Sequence, residues 1–261
     1  MLKEWLAHPL LRGMDLDDPR TTTMRRQIIQ GNRFLRQIYL EWYTQLVAAV
    51  PPGDELVLEL GSGPGFLPEL LQDLIASEVF WCDQIHAVLD GRYLPLAAVS
   101  LRAILMTDVL HHIPNVRPFL RESARCVRAG GVIAMIEPWV TRWSLFVYAH
   151  FHHEPFEPLA PNWEFPTHGP LSSANGALPW IVFERDRVQF EREFPQWCIE
   201  TIRPLLPFRY LVSGGVSMRP LMPGWSSGAW RAFEKLFQSW MDRWAMFALI
   251  VLRRSQRDAA S

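Results

Sequence analysis

Along the chain, short runs of consecutive apolar residues alternate with stretches whose apolar positions recur every three or four residues. The first recurring stretch runs from about Met24 to Val50. It carries Ile28, Phe34, Leu35, Ile38, Trp42, Leu46 and Val50 on one face, which predicts a helix. D-L-D-D-P-R-T-T-T ahead of it reads as a cap, and Pro51, Pro52 and Gly53 end it. Leu56, Val57, Leu58 and Leu60 then form an apolar run broken only by Glu59, the pattern of a buried parallel strand. A helix is expected over roughly Phe66 to Ile75, a second strand over Glu78 to Asp83, and a short third one ending at Asp90. Ala103 to Val109 predicts a fourth strand, Phe119 to Val127 an amphipathic helix, and V-I-A-M-I-E-P-W a fifth strand. Strands alternating with helices imply a parallel sheet with right-handed crossovers.

Beyond strand five the pattern changes. Residues 139–180 carry Pro155, Pro158, Pro161, Pro166, Pro170 and Pro179 among many Trp, Phe and His residues. Regular structure is not expected through the middle of this segment, and its aromatic content argues against disorder. It reads as a lid or substrate-recognition insertion at the strand tips. Trp180 to Phe194 is helical in pattern, a sixth strand falls within Trp197 to Leu211, and Gly214-Gly215 is a turn. Trp230, Phe233, Phe237, Trp240 and Trp244 mark one more helix, and A-M-F-A-L-I-V-L closes the sheet.

The chemistry starts at the turn after the first strand, E-L-G-S-G-P-G. Gly61, Gly63 and Gly65 follow the strand at alternate positions, where a Cβ would obstruct a ligand or the positive φ angles of a tight turn. The spacing is G-x-G-x-G, not the G-x-G-x-x-G of dinucleotide sites, and Pro64 removes a backbone donor. Glu59 just before the loop would repel a pyrophosphate and suits a cationic amino group. Asp83 lies near the distance at which a dinucleotide fold places its ribose-binding acid; an ordinary loop aspartate is the plain alternative.

E-L-G-S-G-P-G resembles motif I of the class I S-adenosylmethionine-dependent methyltransferases. The run L-H-H-I-P-N-V-R-P-F-L-R-E-S-A-R-C-V-R-A-G-G-V-I-A-M-I-E-P resembles the methyltransferase type 11 subgroup. The likeness covers residues 55–138 well and the remainder poorly. It implies a Rossmann-like α/β fold with seven mostly parallel strands, the last antiparallel, and helices on both faces. The chain then divides into an N-terminal helical cap (1–50), a cofactor-binding half (51–138), a lid or substrate insertion (139–195) and closing strands and helix (196–261), all in one domain. S-adenosylmethionine is the implied cofactor and S-adenosylhomocysteine its product. The implied cofactor residues are Glu59, Gly61, Ser62, Gly63, Gly65, Asp83, Asp90 and Thr107.

Methyl transfer from a sulfonium is an in-line displacement, so positioning is the main requirement. A hydroxyl acceptor also gains from a general base. His111 and His112 follow strand four, and Glu137 ends strand five; capping and ion-pair roles are their plain alternatives. His150, His152, His153 and Glu154 crowd the insertion as H-F-H-H-E. Substrate binding or base catalysis (His153), a polar network in the lid, and a metal site compete for this cluster. Adjacent histidines in an extended segment point to opposite faces, so at most two converge and no metal is expected.

With a net charge of -1 and no basic patch interleaved with aromatics, nucleic acid is a poor acceptor. Three scattered cysteines indicate neither a disulfide scaffold nor a zinc ribbon. The longest apolar run, Ala245 to Leu252, is far short of a membrane span, and the N-terminus lacks a signal-peptide core. With the activity that the resemblance implies and the histidines and carboxylates near the strand tips, these features lead us to expect a cytoplasmic enzyme that methylates oxygen on a small or medium-sized acceptor, apolar, carbohydrate-bearing or lipid-linked. A catalytically silent S-adenosylmethionine-binding module and a nicotinamide oxidoreductase are the competing readings.

Overall fold

The computed structural model describes residues 6–152, 154–167 and 169–256. The predicted N-terminal helix is two helices, α1 (Pro19–Gly31) and α2 (Arg33–Ala49). Asn32 separates them with an extended backbone; its side-chain oxygen accepts the Leu35 N–H at 3.1 Å while its amide donates to Ser213 O. The apolar face of α2 is fully sheltered at Phe34, Leu35, Ile38, Trp42 and Leu46.

Seven strands form one sheet: β1 (Leu56–Leu60), β2 (Leu74–Glu78), β3 (Ala87–Val88), β4 (Leu101–Thr107), β5 (Val127–Pro138), β6 (Trp197–Leu205) and β7 (Phe247–Arg254). Their order is β3-β2-β1-β4-β5-β7-β6, and β7 runs antiparallel between β5 and β6. This is the mostly parallel sheet, last strand antiparallel, that the sequence implied. Apolar side chains pack on both of its faces. One face meets α3 (Val116–Cys126) and the helical stretch from Leu178 to α5 (Arg187–Glu193); the other meets α1, α2 and α4 (Arg142–Phe151).

The connection from β1 to β2 departs from expectation. In place of a helix over 66–75 there is a single 3-10 turn at Leu67–Glu69, and β2 begins at Leu74. Pro68 sits in that turn, and the parallel pairing of Val57 with Leu74 leaves too little chain for a full helix. The sheet face is covered instead by α2, whose Tyr43 packs edge-on against Phe66 at 5.0 Å. The predicted second strand therefore moves toward the N-terminus, and β2 ends at Glu78 while Asp83 falls in an exposed turn.

The segment after β5 starts with α4, closed by a Thr141–Ser144 capping box. Among the described residues, the remainder up to 177 forms neither helix nor strand, yet it is anchored. Trp163 is buried and donates through Nε1 to Asp186 at 2.8 Å. Asn175 accepts from the Glu157 and Ala177 N–H groups. His153 and His168 lie outside the described residues.

The turn from β4 into α3 is held by Asn115, whose side chain accepts the Arg117 N–H at 3.0 Å as N-cap. Asn115→Ala is expected to cost about 1 kcal/mol of stability, read from the urea midpoint at an unchanged slope.

Candidate active site

A cavity of about 480 Å³ opens at the C-terminal ends of β1, β2, β4 and β5, the crevice where open α/β sheets bind ligands. Its floor is the glycine loop. Gly61 has φ +66, and a Cβ there would come 2.4 Å from a Val109 methyl, so only glycine lets the loop lie against the chain leaving β4. Gly61 and Gly63 line the cavity, as do Asp90 and Thr107.

The remaining predicted cofactor residues do not face it. Glu59 is 3% exposed beneath the loop, where its Oε2 accepts the Ser62 hydroxyl at 2.5 Å. Burial pushes its pKa up to about 7 against that hydrogen bond, and the Glu78 charge adds to the rise. Glu59 and Ser62 thus brace the loop from behind. Gly65 is pinned under the Tyr43 hydroxyl, which a Cβ would meet at 2.2 Å. Asp83 is exposed and outside the lining.

Glu78 occupies the place expected of Asp83. It ends β2, lines the cavity, accepts the Val79 N–H at 2.8 Å and lies against Gly63 of the loop. Burial raises its pKa, and hydrogen bonds from Val79 and Gly63 oppose the rise. The sequence did carry a signal: L-I-A-S-E repeats the arrangement of L-V-L-E-L, an apolar run meeting an acid at a strand end. Beyond Glu78, Asp90 is gripped by Arg92 at 2.7 Å, and that ion pair forms the next stretch of wall.

A polar cluster closes the other end. His111 is buried, with Nδ1 2.7 Å from Glu137 Oε2 and Nε2 3.5 Å from Glu154 Oε2. Glu137 is wholly buried behind it, its second oxygen accepting the Val109 and Leu110 N–H groups at 2.9 and 2.7 Å. Burial opposes charge on His111, but the hydrogen bonds to Glu137 and Glu154 outweigh it and push the imidazole up to about 10. His111 is therefore a cation held between two carboxylates, with no lone pair to act as a base near neutral pH. Burial, and then the charge on His111, push His112 down to about 4, so it is neutral. Its Nδ1 lies 3.1 Å from the Ser173 carbonyl, which can only accept, so Nδ1 carries the proton and Nε2 a lone pair.

Two further residues escaped the sequence reading. Asp108 follows β4 with φ +58 and lines the cavity, its carboxyl raised to about 7 by burial in spite of the His111 charge. Arg25 of α1 reaches the same cavity with a buried Nε that has no hydrogen-bond partner. Neither lies in a motif; only tertiary packing brings them there.

Residues 58–135 match a family described as a methyltransferase domain. Among solved structures, geranyl diphosphate C-methyltransferase from Streptomyces coelicolor A3(2), in complex with Mg2+, geranyl diphosphate and S-adenosyl-L-homocysteine, is similar at 14% identity. The likeness spans 96% of this chain and 90% of that one, with a TM-score of 0.52. A Thermotoga maritima SAM-dependent methyltransferase, described as a possible histamine N-methyltransferase, aligns at 13% identity over 91% and 98% of the two chains, TM-score 0.52. No curated protein matches the sequence. Among the described residues, no helix is long and apolar enough to cross a membrane.

Sheet order and crevice define the fold class: the Rossmann-like fold that the class I methyltransferases share. Within that fold, residues 58–135 are the part of the chain that is similar to the methyltransferase domain family.

Proposed function

We propose that this chain binds S-adenosylmethionine along the strand tips and transfers its methyl group to a hydroxyl of a small or medium-sized acceptor. The observation that carries this reading is the polarity of the cavity at the strand tips. A glycine loop and the Glu78 carboxylate stand at one end, and the His111–His112–Glu154 cluster at the other. Glu78 would accept hydrogen bonds from the ribose hydroxyls. The Asp90–Arg92 wall would border the adenine, and Arg25, with donor capacity to spare, would meet the cofactor's carboxylate.

The methyl group would then point toward the histidine cluster. An acceptor hydroxyl there faces the imidazolium of His111 and the Nε2 lone pair of His112, groups that favour loss of its proton; a neutral amine needs no such help. Glu137 serves as a positioning residue through His111. The N-terminal helices and the 139–195 segment cover the site, since Tyr39, His152 and Leu171 all line it. That aromatic-rich cover suits an apolar or carbohydrate-bearing acceptor, including a lipid-linked one.

Calorimetry should show saturable binding of S-adenosylmethionine and none of NADH. Radiolabelled methyl transfer to a panel of hydroxyl and amine acceptors then tests the acceptor class, with turnover confined to the hydroxyl compounds. Transfer to amines alone overturns the hydroxyl assignment. A second reading, a silent binding module within a complex, draws support from Trp225, Leu236 and Trp240, which stand 80%, 74% and 57% exposed around α6 (Ser227–Lys235). Cofactor binding without turnover on any acceptor would favour it.

A further inference from the structure

Three ligand-capable side chains converge at the histidine end of the cavity, from two separate parts of the chain. His111 and His112 are adjacent, but they lie in the 3-10 turn Leu110–His112 and not in an extended segment. Successive side chains there diverge by about 120°, short of pointing to opposite faces. Their rings sit 4.3 Å apart and both turn Nε2 toward Glu154 of the insertion. The Nε2 atoms lie 3.5 and 4.0 Å from the two Glu154 oxygens, and the three ligand atoms all fall within 4.8 Å of one another. In a tetrahedral zinc site, bonds of about 2.0–2.2 Å leave neighbouring ligand atoms roughly 3.4 Å apart, so small rotations of these side chains suffice to enclose an ion.

The groups behind the rings fit the same use. His111 Nδ1 is held by the Glu137 carboxylate at 2.7 Å and His112 Nδ1 by the Ser173 carbonyl at 3.1 Å. Outer carboxylate and carbonyl partners of this kind fix the ring orientation of metal-binding histidines and hold Nε2 toward the ion, which would displace the Nε2 proton that His111 carries in its absence. Glu137 is fixed in turn by two backbone N–H groups. His112 Nε2 and Glu154 Oε1 stand 4.0 Å apart, beyond hydrogen-bond reach and spaced for an ion between them.

We propose that His111, His112 and Glu154 form a site for one divalent transition-metal ion of the zinc class. Two imidazoles and one carboxylate suit such an ion and disfavour magnesium and calcium, which take oxygen ligands. All three side chains line the cavity, so the coordination position they leave open faces the bound acceptor. There the ion, held on both Nε2 atoms, would take over from the imidazolium and the His112 lone pair, stabilising an acceptor oxygen whose proton leaves to solvent. Only this last role rests on the hydroxyl reading above; occupancy of the site does not.

The test is metal binding by the full chain, purified without an affinity tag and stripped with a chelator. Titration with Zn2+ should saturate at one equivalent, and Co2+ in its place should give the intense visible absorption of a low-coordinate site. A large excess of Mg2+ should displace neither. His112→Ala and Glu154→Gln should each weaken Zn2+ binding by at least about 100-fold, and Glu137→Gln, acting through His111, by about 10- to 100-fold. His150→Ala should leave binding unchanged, because that histidine lies outside the set, its Nδ1 on Phe146 O at 2.8 Å. Retained S-adenosylmethionine affinity shows that a variant is folded, and the Co2+ spectrum of the unaltered chain depends on no variant. Absence of stoichiometric Zn2+ binding overturns the proposal, as does binding that His112→Ala leaves intact. Loss of methyl transfer with Zn2+ binding preserved would instead count against the hydroxyl reading alone.

Discussion

Glu78→Ala is expected to weaken S-adenosylmethionine binding by about 100-fold or more, while Asp83→Ala leaves it unchanged. Hydrogen bonds to a charged group contribute roughly 1.5–3 kcal/mol each, and a ribose presents two hydroxyls to one carboxylate. Glu78 alone of the two acids lines the cavity, and it is already oriented by the Val79 N–H and pressed against Gly63. Little conformational freedom remains to be lost when the sugar arrives, which favours the full effect. Calorimetry on both variants checks the expectation, with thermal shift by saturating ligand as a second readout. Equal affinities for Glu78→Ala and the parent chain would remove the basis for placing the ribose at this strand end. A loss in Asp83→Ala instead would mean that the exposed turn moves in over the ligand.

The other large effect concerns His111. Removing it leaves Glu137, with no exposed surface, facing an empty space where a cation stood, and deprives Glu154 of the same partner. Breaking a buried pair from one side costs about 3–5 kcal/mol, a large share of the roughly 5–15 kcal/mol that holds a domain folded. The two backbone N–H groups on Glu137 place the loss toward the lower end of that range. His111→Ala should therefore unfold at a clearly lower urea concentration, and His111→Gln, which keeps a donor but no charge, should recover part of the loss.

The pH dependence identifies the mechanism. The folded pKa of His111, about 10, lies above its unfolded value of 6.5. The folded state thus holds the extra proton between those values. Its stabilisation is complete below pH 6.5 and is lost as pH rises through about 10. Urea titrations with EDTA present should show the parent chain losing stability across that window relative to both variants. Parallel curves would mean that His111 is not held as a cation.

Much of this protein was legible in its sequence because the signals are local. The apolar runs read at 56–60, 103–109 and 245–252 fall on the strands Leu56–Leu60, Leu101–Thr107 and Phe247–Arg254, since a buried parallel or central strand must be largely apolar on both faces. The alternate glycines announce a turn that only residues without a Cβ can make, and at Gly61 the close approach of Val109 gives the reason. His111, His112 and Glu137 stand at strand ends, so their proximity followed from the order of strands four and five.

Other features depended on contacts between distant segments. The reduction of the first crossover to one 3-10 turn became tolerable because α2, from upstream, covers that face of the sheet. This shift brought Glu78 to the cavity and left Asp83 in solvent. Glu59 points beneath its loop because the Ser62 hydroxyl ties its carboxylate there, a choice between the two faces of a strand that buried strands do not reveal in their pattern. Arg25, Asp108 and Glu154 come from three parts of the chain that share no spacing. Only the closed fold brings them to one cavity, where burial raises the Asp108 carboxyl while Glu154, against its own burial, is held well below its ordinary value by the His111 hydrogen bond.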